Sequence, residues 1–175
     1  MADIRHEIKQ HWNDLVAGDP AGFRALHDLT YDELFRYAHR LTRDRAGIRD
    51  ALQEVYVAIW QRRDKEPPIR EPWVFLLTAL RNKLIDAARK KKDPAIAHAA
   101  VPSPEDDIIA AEAVAERTAR LAARLAELPE RQREALHLRY RVELEYDDIA
   151  KVMGVGRQVA YNYVNRGVKA LRKGE

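Results

Sequence analysis

Apolar side chains recur every three or four residues along most of this chain, and the breaks in that rhythm fall at proline and glycine. Over residues 3–17 the set is Ile4, Ile8, Trp12 and Leu15, closed by Gly18-Asp19-Pro20. From Pro20 to about Arg43 it is Phe23, Leu26, Leu29, Leu34, Phe35, Tyr37, Ala38 and Leu41. Within that stretch Thr30, with Glu33 three residues on, has the form of a capping box and marks a place where a new helix could start. Residues 44–63 carry Ile48, Ala51, Leu52, Val55, Ile59 and Trp60 on one face. A loop over Asp64–Glu71 holds Pro67 and Pro68, and a helix from Pro72 to Lys91 follows, proline being acceptable in a first turn. The second half predicts helices over 108–128, 130–141, 146–153 and 157–173. A 3.6-residue period throughout predicts an all-α fold.

Between the halves, Asp93 to about Glu105 contains Pro94, Pro102 and Pro104 among alanines, with Glu105, Asp106 and Asp107 after them. Prolines so spaced break helices and keep the backbone extended. The expected organisation is two small helical domains, 1–92 and 111–175, joined by a Pro/Ala-rich acidic linker over 93–110, the second domain containing a helix-turn-helix.

Composition narrows the function classes. The 175 residues contain no cysteine and a single serine, Ser103, so disulfides, thiolate metal sites and serine or cysteine nucleophiles are excluded by inventory. No apolar run approaches a membrane span and the N-terminus is charged, so the expectation is a cytoplasmic protein without membrane insertion. His6, His11, His27, His39, His98 and His137 show no ligand spacing, and Asp28, Asp32 and Glu33 fit helix-start charges better than a metal cluster. No cofactor, no metal and no catalytic residue is expected. Net charge is only +3, yet it is unevenly laid out. Residues 81–92 hold Arg81, Lys83, Arg89, Lys90, Lys91 and Lys92 against Asp86 alone. Residues 151–175 hold Lys151, Arg157, Arg166, Lys169, Arg172 and Lys173 against Glu175 alone, and the stretch between them is acidic. Solvated helix faces would interleave both signs; two basic modules suit a polyanion.

The clearest motif runs from Tyr146 to Tyr161. Ile149, Ala150, Val152 and Met153 form the buried face of a short helix, Gly154 can take positive φ to end it, and Val155 plugs the core. In the next helix Ala160, Val164, Val168 and Leu171 make one stripe; Gln158, Tyr161, Asn162, Asn165 and Lys169 make the opposite one, with Arg157 at the tip. Arginine suits guanine, Gln or Asn suits adenine, and lysine suits phosphate. Residues 149–174 contain no acid, which an ordinary hairpin's outer face would carry.

Read with its flanks, this segment resembles the C-terminal domain of bacterial sigma factors of the extracytoplasmic-function (ECF) type. The residues are Leu128-Pro129-Glu130-Arg131-Gln132-Arg133-Glu134-Ala135-Leu136, then Leu144 and Tyr146 through Gly154, then Arg166, Lys169, Leu171 and Arg172. Asp50 through Trp60 resembles the family's polymerase-binding helix, and Phe75 through Asp86 its promoter-melting helix. The resemblance covers most of residues 20–173. Glu145 and Gly156 stand where the family usually has serine, and Phe75 where it usually has Trp or Tyr.

The resemblance implies a factor that directs RNA polymerase core enzyme to promoter DNA and catalyses nothing itself. It implies a region 2-like domain at 1–92, engaging polymerase and the −10 element, and a region 4-like domain at 111–175, engaging the −35 element. Asp50, Gln53, Glu54 and Tyr56 would face the polymerase. Arg81, Lys83, Arg89 and Lys90 would contact phosphates and Asn82 a base, while the 64–71 loop would capture an unstacked one. In the second domain Arg157, Gln158, Tyr161, Asn162, Asn165, Arg166 and Lys169 would contact DNA. Extended, residues 93–110 span at most roughly 60 Å, enough with the domains' own widths for sites two DNA turns apart. An anti-sigma protein is a further expected partner. The alternative from residue chemistry is a stand-alone helix-turn-helix repressor whose N-terminal half dimerises or senses a ligand.

Overall fold

Eight α-helices make up the regular structure of residues 2–63, 69–91 and 112–172, which this computed structural model of the chain describes. They are α1 (Ala2–Val16), α2 (Pro20–Leu41), α3 (Arg45–Arg62), α4 (Pro72–Lys91), α5 (Glu112–Glu127), α6 (Glu130–Tyr140), α7 (Tyr146–Met153) and α8 (Arg157–Arg172). The expected linker, 93–110, and most of the 64–71 loop lie outside the described residues.

Local chemistry sets the boundaries. Asp19 caps α2 by accepting from the Ala21 N–H, with Pro20 in the first turn. Asp44 caps α3 through the Gly47 N–H at 2.9 Å. Such caps satisfy donors that have no partner inside the helix. The expected break at Thr30 does not occur, and α2 runs unbroken. The Thr30 hydroxyl is buried, donates to the Leu26 carbonyl and meets the Tyr56 hydroxyl at 2.8 Å. Its oxygen therefore serves a mid-helix contact and caps nothing.

Helices α1 to α4 enclose one part of the core. Ile8, Trp12 and Leu15 of α1, Leu26, Leu34 and Tyr37 of α2, Ile48, Leu52 and Val55 of α3, and Trp73, Leu76, Leu77 and Leu80 of α4 are all buried. The buried Trp12 meets the half-buried Phe75 edge to face at 5.5 Å, so Phe75 packs against the core. In the second part, α6 lies at the centre. Glu134, Ala135, Leu136 and Leu138 of this helix are all buried, although they point in different directions around its axis. No single stripe can account for that; α7 and α8 pack against α6, and on another side its Glu134 meets Tyr37 of α2 and Arg81 of α4.

Candidate nucleic-acid interface

The helix-turn-helix is built from α7 and α8. Gly154 takes φ +63°, the left-handed conformation that ends α7, and the Val155 N–H returns to the Ala150 carbonyl at 3.0 Å. Ile149, Ala150, Val152 and Met153 are buried as the pattern requires, against Ala160 and Val164 of α8. Gly167 lies over Leu136, which lets α8 approach α6 closely. At the start of α7, Tyr146 stands edge to face with Tyr161 of α8 at 5.3 Å, and the Arg139 guanidinium lies 5.0 Å from the Tyr146 ring. Arg139 also donates to the Leu144 carbonyl and to Glu145. These contacts fix the angle at which α8 is presented. Glu145 makes no side-chain cap to α7.

The residues expected to meet DNA on α8 share its outer side. Arg157, Gln158, Tyr161, Arg166 and Lys169 are exposed; Asn162 and Asn165 are half-buried. Gln158 donates to Asn162 at 3.3 Å, and Arg157 pairs with Asp147 of α7 at 3.2 Å, both side chains largely in solvent. An exposed pair of this kind contributes little stability, so the Arg157 guanidinium can exchange Asp147 for another acceptor at little cost. Sequence pattern did not reveal Asp147 as its partner.

On α4, Asn82, Lys83, Arg89 and Lys90 are exposed. Lys83 pairs with Glu54 of α3 at 2.7 Å, which lowers the Glu54 pKa, and Arg89 lies 3.9 Å from Asp86. Arg81 departs from expectation. It is 6% exposed, and its Nε donates to Glu134 Oε1 at 2.7 Å, so in this arrangement it is closed off from any phosphate. On α3, Asp50, Gln53 and Glu54 are exposed on one side of the helix. Tyr56 is not on that face. It is 4% exposed, packed by Phe23 and His27, and burial pushes its hydroxyl up to about 12. Position 56 follows directly on the Leu52–Val55 stripe, and the ring turns inward with it.

Glu134 is the residue that sequence reading missed. It accepts from Arg81 of α4 and from the Tyr37 hydroxyl of α2 at 2.9 Å, while Arg131 stands 3.8 Å away. Burial opposes the Arg81 charge, but Glu134 outweighs it and raises the Arg81 pKa. Burial and the Glu134 charge both raise Tyr37, which stays protonated as a donor. Beside them His137 lies parallel to the Tyr37 ring, 6.2 Å between centroids. A further tie comes from α1, where Arg5 donates to the Val142 and Glu143 carbonyls at 3.0 and 2.8 Å. Glu143 takes φ +58°, which turns the loop between α6 and α7. Its only local signal was an acid at 134 among residues that helical spacing would bury.

Burial, with Arg40 and Arg141 adding to it, depresses the His137 pKa from 6.5 to about 3. A depressed histidine is neutral when folded, so its contribution is intact above pH 6.5 and is lost as pH falls from there toward 3. We expect the wild-type chain to lose about 1 kcal/mol between pH 7.5 and pH 5.5 beyond what His137→Gln loses, in urea unfolding of both proteins. Parallel pH profiles for the two would show that the ring titrates normally.

A helical domain followed by a helix-turn-helix with an acid-free outer face defines a DNA-binding transcription factor. Comparison with known proteins makes this specific. Residues 26–93 match the family description "Sigma-70 region 2" and residues 118–171 match "Sigma-70, region 4". The "ECF RNA polymerase sigma factor SigW" of Bacillus subtilis (strain 168) is 24% identical over 178 residues, covering 95% of each chain. The "ECF RNA polymerase sigma factor SigK" of Mycobacterium sp. (strain KMS) is 22% identical over 160 residues, 88% of this chain and 83% of the relative. Among solved structures, CnrH in complex with the cytosolic domain of CnrY superposes with a TM-score of 0.65 at 20% identity, covering 95% of this chain and 96% of that one. The sigma factor RpoE in complex with the anti-sigma factor NepR from Bartonella quintana gives the same TM-score and identity over 86% and 94%. The chain belongs to the Sigma-70 family, in its extracytoplasmic-function group of RNA polymerase sigma factors.

Proposed function

We propose that this chain acts in the cytoplasm as a promoter-specificity subunit of RNA polymerase and catalyses no reaction of its own. The carrying observation is the order of the two parts: a domain matching region 2 with a basic α4, then one matching region 4 with the acid-free outer side of α8. In this reading Asp50, Gln53 and Glu54 of α3 dock on core polymerase. Asn82, Lys83, Arg89 and Lys90 of α4 follow the strands near the −10 element. Arg157, Gln158, Tyr161, Asn162, Asn165, Arg166 and Lys169 engage the −35 element in the major groove, side chains reading base edges and cations neutralising phosphates. The domain boundaries, 1–92 and 111–175 with 93–110 between, are part of the proposal. That the sigma factor RpoE was captured with the anti-sigma factor NepR, and the similar CnrH with the cytosolic domain of CnrY, supports an inhibitory protein partner here too.

Transcription in vitro from genomic DNA by core polymerase, with and without this chain, tests the reading. Start sites that require the chain are expected, and their absence would sink it. With promoters in hand, Arg157→Ala or Gln158→Ala should change base preference at the upstream element by about 1–3 kcal/mol. Lys169→Ala should instead weaken binding evenly across sequences and lower the salt slope by about one.

A further inference from the structure

Asp147 is an acid beside a surface that otherwise carries none, and the proposed function leaves it without a task. Residues 149–174 hold no Asp or Glu, and a carboxylate at the edge of that stretch opposes a polyanion. Helix α7 begins with two acids, Asp147 and Asp148, which suit the positive end of a helix dipole. The structure separates them. Asp148 is half-buried and accepts from Lys151 of its own helix at 2.8 Å. Asp147 stands exposed, and its Oδ1 lies 3.2 Å from Nε of Arg157 at the start of α8. Tyr146 and Asp147, consecutive on α7, thus reach Tyr161 and Arg157, about one turn apart on α8. The ring contact fixes where the Asp147 carboxylate stands, and Lys151 feels its charge as well.

We propose that Asp147 is a specificity-determining positioning residue: it holds the Arg157 guanidinium by Nε, so that Nη1 and Nη2 remain for N7 and O6 of a guanine and a phosphate is disfavoured. The inference rests on the reading of α8 as the helix that enters the −35 element. The first residues of a recognition helix are those that reach base edges, and Arg157 opens α8. A guanidinium carries N–H groups on Nε and on both Nη atoms, so the Asp147 pair and a two-point guanine contact can be held together. The other three bases do not present guanine's pair of acceptors in the major groove. Phosphate differs again. It is charged, and drawing Arg157 to it either breaks the pair or brings a second anion against Asp147. Because the pair is exposed, it biases Arg157 without locking it. Its effect is therefore a ratio of affinities between DNA sequences, with little change in stability.

Competition binding by holoenzyme, core polymerase plus this chain, tests the inference. The probe is a promoter duplex recovered from the transcription experiment, each base pair of its upstream element varied in turn. The wild-type chain is expected to favour guanine at one position, and Arg157→Ala to abolish that preference. Asp147→Asn, nearly isosteric and at an exposed site, is expected to lower it about threefold, chiefly by tightening binding to the other three base pairs. With Arg157→Ala already in place, Asp147→Asn should leave base preference unmoved. An equal gain on every sequence would make Asp147 a source of general repulsion and overturn the inference. So would a guanine preference that Asp147→Asn leaves intact, the lack of any guanine preference that depends on Arg157, or a change in preference that persists with Arg157→Ala in place. Absence of start sites that require the chain would fault the promoter reading itself, and the inference with it. Start sites with a preference indifferent to Asp147 would fault the inference alone.

Discussion

Gly22→Ala is expected to lower the stability of the chain by about 1–3 kcal/mol, several degrees in a thermal melt followed by circular dichroism. Alanine is the better helix former by about 1 kcal/mol, so propensity alone argues for the opposite outcome. The contact geometry decides against it. A Cβ at position 22 would lie 2.5 Å from the Asp14 Cβ and 2.9 Å from the Leu15 backbone nitrogen, and neither can rotate out of the way. Helix α1 would have to lift from α2, disturbing the burial of Trp12 and Leu15 and the edge contact of Trp12 with Phe75. Gly167→Ala provides the contrast. Its nearest neighbour is the Leu136 side chain at 2.8 Å, which can change rotamer, so a smaller loss is expected. A melting temperature for Gly22→Ala equal to that of the wild type would mean that α1 is not seated as described.

The second large effect is expected at Leu144, which is completely buried between α6 and α7 although it belongs to neither. Its N–H donates to the Leu138 carbonyl at 2.9 Å and its own carbonyl accepts from Arg139 at 2.8 Å. The backbone is thus held on both sides and cannot close around a smaller side chain. Leu144→Ala should cost about 2–5 kcal/mol, mostly as a cavity beneath α7. The loss should fall unevenly, with amide exchange accelerating over residues 128–172 and much less over α2 and α3. Binding to core polymerase should then outlast binding to the upstream promoter element. Uniform acceleration along the chain would show that the two parts unfold as one.

The contrast between these sites and the missed ones shows what a single sequence can convey. Gly154, the Ile149–Met153 face and the Ala160–Val164 stripe are legible because a turn glycine and a buried stripe are local features. Thr30 misled because Thr-x-x-Glu is also local, yet its hydroxyl was claimed by a carbonyl four residues back and by Tyr56, 26 residues away. Arg81 misled for a stronger form of the same reason. A lone basic residue on a basic helix looks the same whether it faces phosphate or a carboxylate 53 residues further on. The acid-free character of α8 was readable, whereas the Asp147 that steadies Arg157 was not, because exposed pairs leave no trace in periodicity. The helices and the exposed polar side of α8 were thus accessible from pattern, while the partners across the domain boundary depend on tertiary placement.

Because the carbonyls of Val142 and Glu143 and the guanidinium of Arg5 sit in one polypeptide, the contact between the two parts is first-order. A tether of moderate length presents each part to the other at an effective concentration in the millimolar range, whatever the dilution of the protein. A few polar contacts, too weak to hold separate molecules together at cellular concentrations, are then sufficient. Cleavage of the chain anywhere between the two parts would convert the same surfaces into a pair whose association vanishes on dilution, with every contact intact.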